Sequence, residues 1–190
     1  MGCIYKKDRV TLKPFDDLLG SSADGVYDLD KYKTWMTDSE VTKFNSHGLF
    51  PKSKREIDSF GKEASSNQNQ VTWKIYYNDN FIGMCSLQGI DWINRSGEVA
   101  IYIGEKSLWG KGISKTSIGF MLAHGFNRVG LNRIWSGTAS TNIAMNVIFQ
   151  KMGFKKEGCF RDGTFLDGNF DDVNSYGILK KDWDKKTKEL

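Results

Sequence analysis

The sequence predicts a mixed α/β fold, in which a central sheet carries helices on both faces. Short segments with alternating apolar and polar residues predict strands, and longer segments with apolar residues at helical spacing predict helices. Their order is strand, helices, three strands, helix, strand, helix and two strands, which a mixed sheet accommodates. The 190 residues, 39% hydrophobic and 26% charged, suit one soluble globular domain spanning residues 1–190.

The N-terminal third is predicted to contain one strand and short helices. The alternating segment Asp8–Pro14 predicts a strand that ends at its proline. Residues 29–45 carry Tyr32, Trp35 and Met36 at helical spacing, but Thr37 and Asp38 interrupt the run, which predicts two short helices. A turn over 45–48 follows, and the capping box formed by Ser53 and Glu56 predicts a helix to about Ala64.

The middle of the chain is predicted to be rich in strands, namely Val71–Tyr77, Phe81–Leu87 and Gly97–Gly104. Residues 78–80 form a hairpin-type turn between the first two. Side chains of a strand point alternately to opposite faces. In the third strand, one face should therefore carry Val99, Ile101 and Ile103, and the other Glu98, Ala100 and Tyr102.

The remaining elements alternate between helix and strand. After a loop, the predicted elements are a helix from 113 to about 129, a strand over 131–137, a helix over 142–152 closed by Gly153, and strands near 154–165 and 170–179. The last residues, 180–190, contain five Lys and three acidic residues and predict a basic, solvated tail.

The loop that precedes the fourth helix is a candidate anion site. Gly110 and Gly112 allow backbone N–H groups to turn inward, and the following helix adds its N-terminal dipole. Lys111 and Lys115 fall where a phosphate would lie. The sequence has neither the P-loop nor the dinucleotide pattern at this position, and a glycine-rich turn without a ligand is the alternative.

Several segments in a fixed order resemble the GNAT acetyltransferase superfamily. The acetyl-CoA-binding motif is similar to Ala100–Gly104 followed by Trp109–Ile113. Further matches are Leu131–Ile134, Asn142, Lys151–Phe154 and Glu157-Gly158, and Asp167-Gly168 with Asp172 resembles the closing hairpin of the RimJ/RimL-like branch. The resemblance covers about residues 72–180 and implies a mostly antiparallel sheet.

The resemblance implies direct acetyl transfer from acetyl-CoA to a primary amine, without an acyl-enzyme. It implies that ten residues bind the acetyl donor, namely Ile101, Ile103, Trp109, Gly110, Lys111, Gly112, Ile113, Ser114, Asn142 and Phe149. Two positions depart from the family. Ser107 replaces a long side chain at the start of the loop, and Phe149 stands where many members have a Tyr that protonates the leaving thiolate. Asn142 could instead be only a helix N-cap.

The predicted catalytic residues are Glu98 and Tyr102. Glu98 is the one carboxylate within its strand, and partial burial would raise its pKa toward the range of a general base. A structural ion pair, for example with Arg95, is the alternative. Tyr102 could order a water molecule or the substrate, or pack as an aromatic residue. Asn45 and His47 lie in a segment that the resemblance places over the acceptor site, where His47 is either a second base or an ordinary loop residue.

Other function classes find little support in the sequence. The net charge of +4 and the absence of an RNA-recognition or zinc motif argue against a nucleic-acid partner, and no apolar run could span a membrane. Cys3, Cys85 and Cys159 lack metal-ligand spacing, which predicts no metal and a reducing cytoplasm. His124 is expected to be packed.

The acceptor is the open question. We expect a small-molecule amine, with an amino sugar as one candidate because Trp73, Trp92 and Trp135 could stack on a sugar, although core packing explains these residues better. A protein N-terminus and a catalytically inactive CoA-binding module are the alternatives. The chain is expected to be a monomer or a homodimer.

Overall fold

The described strands form a single mixed sheet. A computed structural model describes residues 4–15, 20–45 and 67–188. In this part of the chain the strand order is β1-β2-β3-β4-β5-β6-β8-β7, and every neighbouring pair is antiparallel except β5 and β6. The strands are β1 (Tyr5–Lys7), β2 (Val10–Pro14), β3 (Val71–Tyr77), β4 (Asn80–Asp91), β5 (Ser96–Ile103), β6 (Arg133–Ala139), β7 (Lys155–Leu166) and β8 (Asn169–Leu179).

Helices lie on both faces of this sheet. They are α1 (Asp28–Met36), α2 (Ser39–Thr42), α3 (Ile113–His124), α4 (Ile143–Met152) and α5 (Lys180–Lys188), and a π-helical turn over Gly125–Val129 extends α3. Within the described residues, none of these helices is long and apolar enough to cross a bilayer.

Two hydrophobic clusters hold the helices to the sheet. The larger cluster joins α3 and α4 to one face through side chains such as Met121, Phe149 and Ile134. The smaller joins α1 and α2 to the other face through Trp35, Val41 and other residues of the same cluster. Val99 belongs to the larger cluster and Tyr102 packs against the smaller, so the alternation predicted for β5 is confirmed.

The mixed sheet with helices on both faces is confirmed, and several details differ from the prediction. The short strand β1 was missed, because three residues give no readable period. The residues predicted as a solvated tail form the helix α5 over Lys180–Lys188, and the ring of Trp183 packs with its centroid 6.4 Å from that of Phe126. The helix predicted from Ser53 to Ala64 lies outside the described residues.

A glycine at the end of β5 lets α1 approach the sheet. A Cβ built on Gly104 would lie only 2.0 Å from Cδ2 of the Trp35 indole. The centroid of this aromatic system lies 5.0 Å from that of Phe81 and 6.5 Å from that of Tyr102. The contact leaves no room for even one methyl group. The position therefore accepts only glycine without a shift of α1.

We expect Gly104→Ala to lower the free energy of unfolding by ~1–3 kcal/mol, the usual cost of overpacking a core. Urea unfolding followed by circular dichroism measures this. Gly119→Ala in α3 is the matched control, because its new Cβ would meet only Met152 at 3.8 Å and alanine favours the helix. Equal stability of Gly104→Ala and the parent would contradict the prediction.

Candidate active site

The site begins where β5 and β6 part. The two parallel strands pair only from Ser96 to Glu98 on β5 and from Arg133 to Trp135 on β6. Beyond this point β5 continues along β4 as far as Ile103, while β6 continues along β8. A wedge-shaped gap therefore opens in the middle of the sheet.

Backbone groups of β5 point into this gap. The carbonyl of Val99 accepts from Ser136 Oγ at 2.9 Å, and the carbonyl of Ile103 accepts from Trp109 Nε1 at 2.9 Å. In a strand, the N–H and C=O groups of alternate residues point to the same side. The N–H groups of Ile101 and Ile103 therefore face the gap and can donate to an oxygen placed there.

The loop after β5 ends at the N-terminus of α3. Gly110 and Gly112 have φ angles of +76° and +78°, which favour glycine, and a Cβ at either would meet nothing within 4 Å. Among the described residues no side chain caps α3, which leaves the N–H groups of its first turn open to a ligand. Open backbone donors at a helix N-terminus suit a phosphate group.

A groove of about 600 Å³ connects this loop to the gap. It contains most of the residues predicted to hold the acetyl donor, namely Ile101, Ile103, Trp109, Gly110, Gly112, Ile113, Ser114 and Asn142. The Lys111 side chain is exposed and does not line the groove, whereas Lys115 and Lys151 do. Part of the positive charge near the loop therefore comes from Lys151 on α4, a contribution that the sequence pattern did not predict.

Asn142 caps α4. Its Oδ1 accepts from the N–H of Met145 at 3.3 Å, so Asn142 is the N-cap of this helix. The side chain also lines the groove, and its Nδ2 is the group that could serve a bound ligand. The loop before it is fixed by Asp171, which accepts from Ser140 Oγ and Thr141 Oγ1 at 2.6 Å each.

A second cavity, of about 350 Å³, adjoins the groove. The two share Phe44, Asn45, Ile101, Tyr102 and Met145. The smaller cavity also contains Glu98 and a set of uncharged polar side chains, Gln70, Thr72, Ser86, Gln88 and Ser136. Sequence analysis missed this polar set, although strand alternation on β3 and β4 places Thr72, Ser86 and Gln88 on the face of Glu98.

Glu98 is half-buried in this cavity. Its Oε2 accepts from Gln88 Nε2 at 3.1 Å, and Gln88 Oε1 accepts from Ser86 Oγ at 3.2 Å. The proposed ion pair with Arg95 does not form, because Arg95 donates to the Gly130 carbonyl instead. The carboxylate is therefore oriented by a neutral amide and faces the cavity.

Tyr102 lies at the junction of the two cavities. It packs edge-on against Trp35, so the aromatic-packing interpretation is confirmed. Burial, and then the nearby Tyr32, raise the pKa of Tyr102 well above its ordinary value. Its hydroxyl stays protonated at neutral pH, so it can donate a hydrogen bond but cannot act as a base.

The other predicted residues fall in different places. Asn45 lines both cavities, and His47 lies outside the described residues. Phe149 is buried, packs 5.0 Å from Phe154 and lines the smaller cavity rather than the groove. His124 is packed as expected, since its Nδ1 lies 2.7 Å from Tyr5 Oη and burial lowers its pKa.

Comparison with known proteins agrees with this geometry. Residues 24–155 match the family model of the acetyltransferase (GNAT) domain. "Putative ribosomal N-acetyltransferase YdaF" of Bacillus subtilis (strain 168) is 30% identical over 116 residues, a match that spans 61% of this chain and 63% of the relative.

Solved structures give the same fold. Spermidine N-acetyltransferase from Vibrio cholerae in complex with CoA and spermine has a TM-score of 0.76 and 21% identity, covering 92% of this chain and 98% of that one. RimL, a ribosomal L7/L12 α-N-protein acetyltransferase in complex with CoA, has a TM-score of 0.77 and 19% identity, covering 93% and 97%. The chain belongs to the GNAT acetyltransferase family, and its fold is that of RimL and of the spermidine enzyme.

The raised pKa of Tyr102 can be tested by alkaline titration. In the folded state, the parent and Tyr102→Phe should develop equal phenolate absorbance up to about pH 11, because Tyr102 does not ionise in that range. In urea, where Tyr102 is solvated, the parent should develop the absorbance of one more tyrosine. A deficit of one tyrosine in folded Tyr102→Phe would show that Tyr102 ionises normally.

Proposed function

We propose that this protein transfers an acetyl group from acetyl-CoA directly to the primary amine of a small molecule, in the cytoplasm. The observation that carries the proposal is the junction of the two cavities at β5. The groove with the anion-binding loop and the cavity with Glu98 meet at Ile101 and Tyr102, beside the backbone donors of β5. A donor and an acceptor can thus meet at one point.

The groove has features that suit the acetyl donor. The first turn of α3 and the loop glycines would hold its diphosphate, with Lys115 and Lys151 supplying positive charge. Asn142 would donate to the pantetheine arm. The donor supplies an acetyl group activated as a thioester. The N–H groups of Ile101 and Ile103 would stabilise the carbonyl oxygen as it gains negative charge, an effect worth a few kcal/mol in other enzymes.

Glu98 would act as the general base. An alkylammonium ion must lose a proton before its nitrogen can attack a carbonyl carbon. The Glu98 carboxylate faces the acceptor cavity and can take that proton directly or through one water molecule. The new C–N bond then forms as the C–S bond breaks, and the sulfur leaves as a thiolate.

The leaving thiolate has no tyrosine at the family position. Phe149 cannot donate a proton, and the hydroxyl of neighbouring Tyr176 is bound to Asn146 Oδ1 at 2.8 Å in the core. Ordinary thiols have a pKa of about 8.5, so a thiolate can leave near neutral pH and take a proton from water or from the amine. We therefore assign no dedicated acid.

A second candidate is acetylation of a protein N-terminus. The similarity to YdaF, whose name includes ribosomal N-acetyltransferase, favours it. The three tryptophans considered for stacking on a sugar do not support that acceptor. Trp73 is buried in the core, Trp92 donates to Asn69, and none of the three tryptophans lines either cavity.

Release of CoA in the presence of an amine distinguishes both candidate acetyltransferases from an inactive CoA-binding module. The parent should release CoA in the presence of amines, and Glu98→Gln should lower kcat by ~10²–10⁴-fold near neutral pH. Activity should partly recover at higher pH, where more free amine is present. The test measures thiol release across an amine panel that includes a peptide with a free N-terminus.

Glu105→Gln is the control for this experiment, because Glu105 caps the turn after β5 and does not line the acceptor cavity. It should retain the parental pH–rate profile. If the profile of Glu98→Gln overlays that of the parent, Glu98 has only a structural role. If no amine releases CoA from a protein that binds acetyl-CoA, the proposed activity is wrong.

Binding of the donor depends on the loop glycines. Gly112→Val should weaken acetyl-CoA binding at least about tenfold, a loss of ~1.4 kcal/mol, because it obstructs the approach of the diphosphate to the backbone. Calorimetry measures the affinity, and urea unfolding measures the stability. Gly25→Val is a matched control, since Gly25 has the same φ of +78° and equally open surroundings, but lines neither cavity.

Both valine variants should lose some stability, because the left-handed conformation disfavours a branched side chain. Only Gly112→Val should lose affinity. Unchanged affinity in a folded Gly112→Val protein would disprove the assignment of the loop.

A further inference from the structure

We propose that Thr72 and Ser86 form a hydroxyl-recognition subsite in the acceptor cavity, so that the acceptor is a primary monoamine that also carries hydroxyl groups, such as an amino alcohol or an amino sugar. This inference rests on the proposed function, because it takes the cavity around Glu98 to be the acceptor site. It adds the residues that select the acceptor and the chemical class that they select.

The sheet places the two hydroxyls on one row. Thr72 on β3 pairs with Ser86 on β4, and Ser86 pairs with Ala100 on β5. The next row on the same face contains Gln88 and its partner Glu98. Ser86 is thus the diagonal neighbour of Glu98, with their Cβ atoms somewhat less than about 7–8 Å apart, and Thr72 lies one strand further. A small molecule could contact the carboxylate with its amine and this row with its other end.

Both residues are more than nine-tenths buried, yet both line the cavity. Thr72 is 7% exposed and Ser86 is 7% exposed. Buried polar groups in proteins are generally hydrogen-bonded, and each of these hydroxyls bonds to a nearby glutamine while its residue also borders the cavity. Here the alanine at position 100 leaves the adjoining place in the row without a large side chain.

The hydrogen bonds already formed by the two hydroxyls leave one acceptor and one donor available to a ligand. Ser86 Oγ donates to Gln88 Oε1, so its lone pairs can accept from an acceptor hydroxyl. Thr72 Oγ1 accepts from Gln70 Nε2 at 2.9 Å, so its proton can be donated. One donor and one acceptor side by side match a hydroxyl group, which is itself both.

The charges in the cavity favour a monoamine. Among the described residues that line it, Glu98 is the single charged one, and the rest are neutral polar or apolar. A second ammonium group would have to leave water for this neutral wall, which is costly without a carboxylate partner. A hydroxyl in the same place would exchange its water contacts for Thr72 and Ser86.

The experiment compares three amines that each carry a six-membered ring: glucosamine, with a pyranose ring, and the cyclohexane derivatives cyclohexylamine and 1,4-diaminocyclohexane. CoA release at saturating acetyl-CoA gives kcat/KM for each. We expect the parent to prefer glucosamine over each of the other two by at least about tenfold. The double variant Thr72→Val/Ser86→Ala should reduce the preference for glucosamine over cyclohexylamine at least about fivefold, in the range reported for removing a hydrogen-bond partner.

Thr11→Val is the control, because Thr11 is a buried threonine of β2 that lines neither cavity, and the preference should stay parental. Thermal unfolding confirms that each variant is folded. If the double variant does not fold, the preference in kcat/KM for glucosamine over cyclohexylamine is measured in Ser86→Ala instead, and it should fall in the same direction.

The results distinguish failure of the hydroxyl subsite from failure of the proposed acetyl transfer. If the parent turns over cyclohexylamine or the diamine as well as glucosamine, or if the double variant keeps the parental preference, the subsite is wrong while acetyl transfer stands. A seryl peptide that surpasses glucosamine would likewise overturn the small amino-alcohol acceptor. If no amine or peptide releases CoA, the proposed function itself fails.

Discussion

The site depends on the separation of β5 from β6 after three paired residues on each strand. A strand that leaves its partner exposes backbone N–H and C=O groups, and such groups need partners when they are buried. Two of the β5 carbonyls are satisfied locally, by the hydroxyl of Ser136 and by the indole of Trp109. The N–H groups between them are left facing the gap. The same separation therefore creates the space for an acetyl group and the donors that would stabilise its oxygen.

The two faces of the sheet contribute different parts of the site. The face of α3 and α4 provides the glycine loop, the helix N-terminus and the lysines. The face of α1 and α2 provides Phe44 and Asn45, which lie just after α2 and border both cavities. Lys106, which follows β5, forms ion pairs with Asp38 at 2.7 Å and Glu40 at 2.5 Å. These contacts join the loop after β5 to the segment that borders the smaller cavity.

The acceptor is the point on which similar folds give no guidance. RimL and the spermidine enzyme have the same fold as this chain, and their names indicate a protein and a polyamine as acceptors. At 19% and 21% identity, the likeness extends to the fold alone. The distinguishing features are local. The described wall of the smaller cavity has one carboxylate, no described counter-ion to it and a row of neutral hydroxyl and amide groups, a distribution in which a second ammonium group would leave water only at a cost.

The sequence by itself determined the mixed α/β class, most strand positions, the glycine loop and the candidate base Glu98. These features depend on local chemistry: side-chain period, turn residues, and a single carboxylate in an apolar strand. It did not indicate α5, because this segment consists mostly of charged residues and Trp183 is its one large apolar side chain in contact with the core. It also did not indicate that Lys151 lines the groove. Tertiary structure alone decided that Gln70, Thr72, Ser86 and Glu98 share one cavity, and that Arg95 turns away from Glu98. The turn of the β3–β4 hairpin sets the register that pairs Thr72 with Ser86, but β5 and β6 are distant in sequence, so the point at which they part is decided by the packing of the whole sheet.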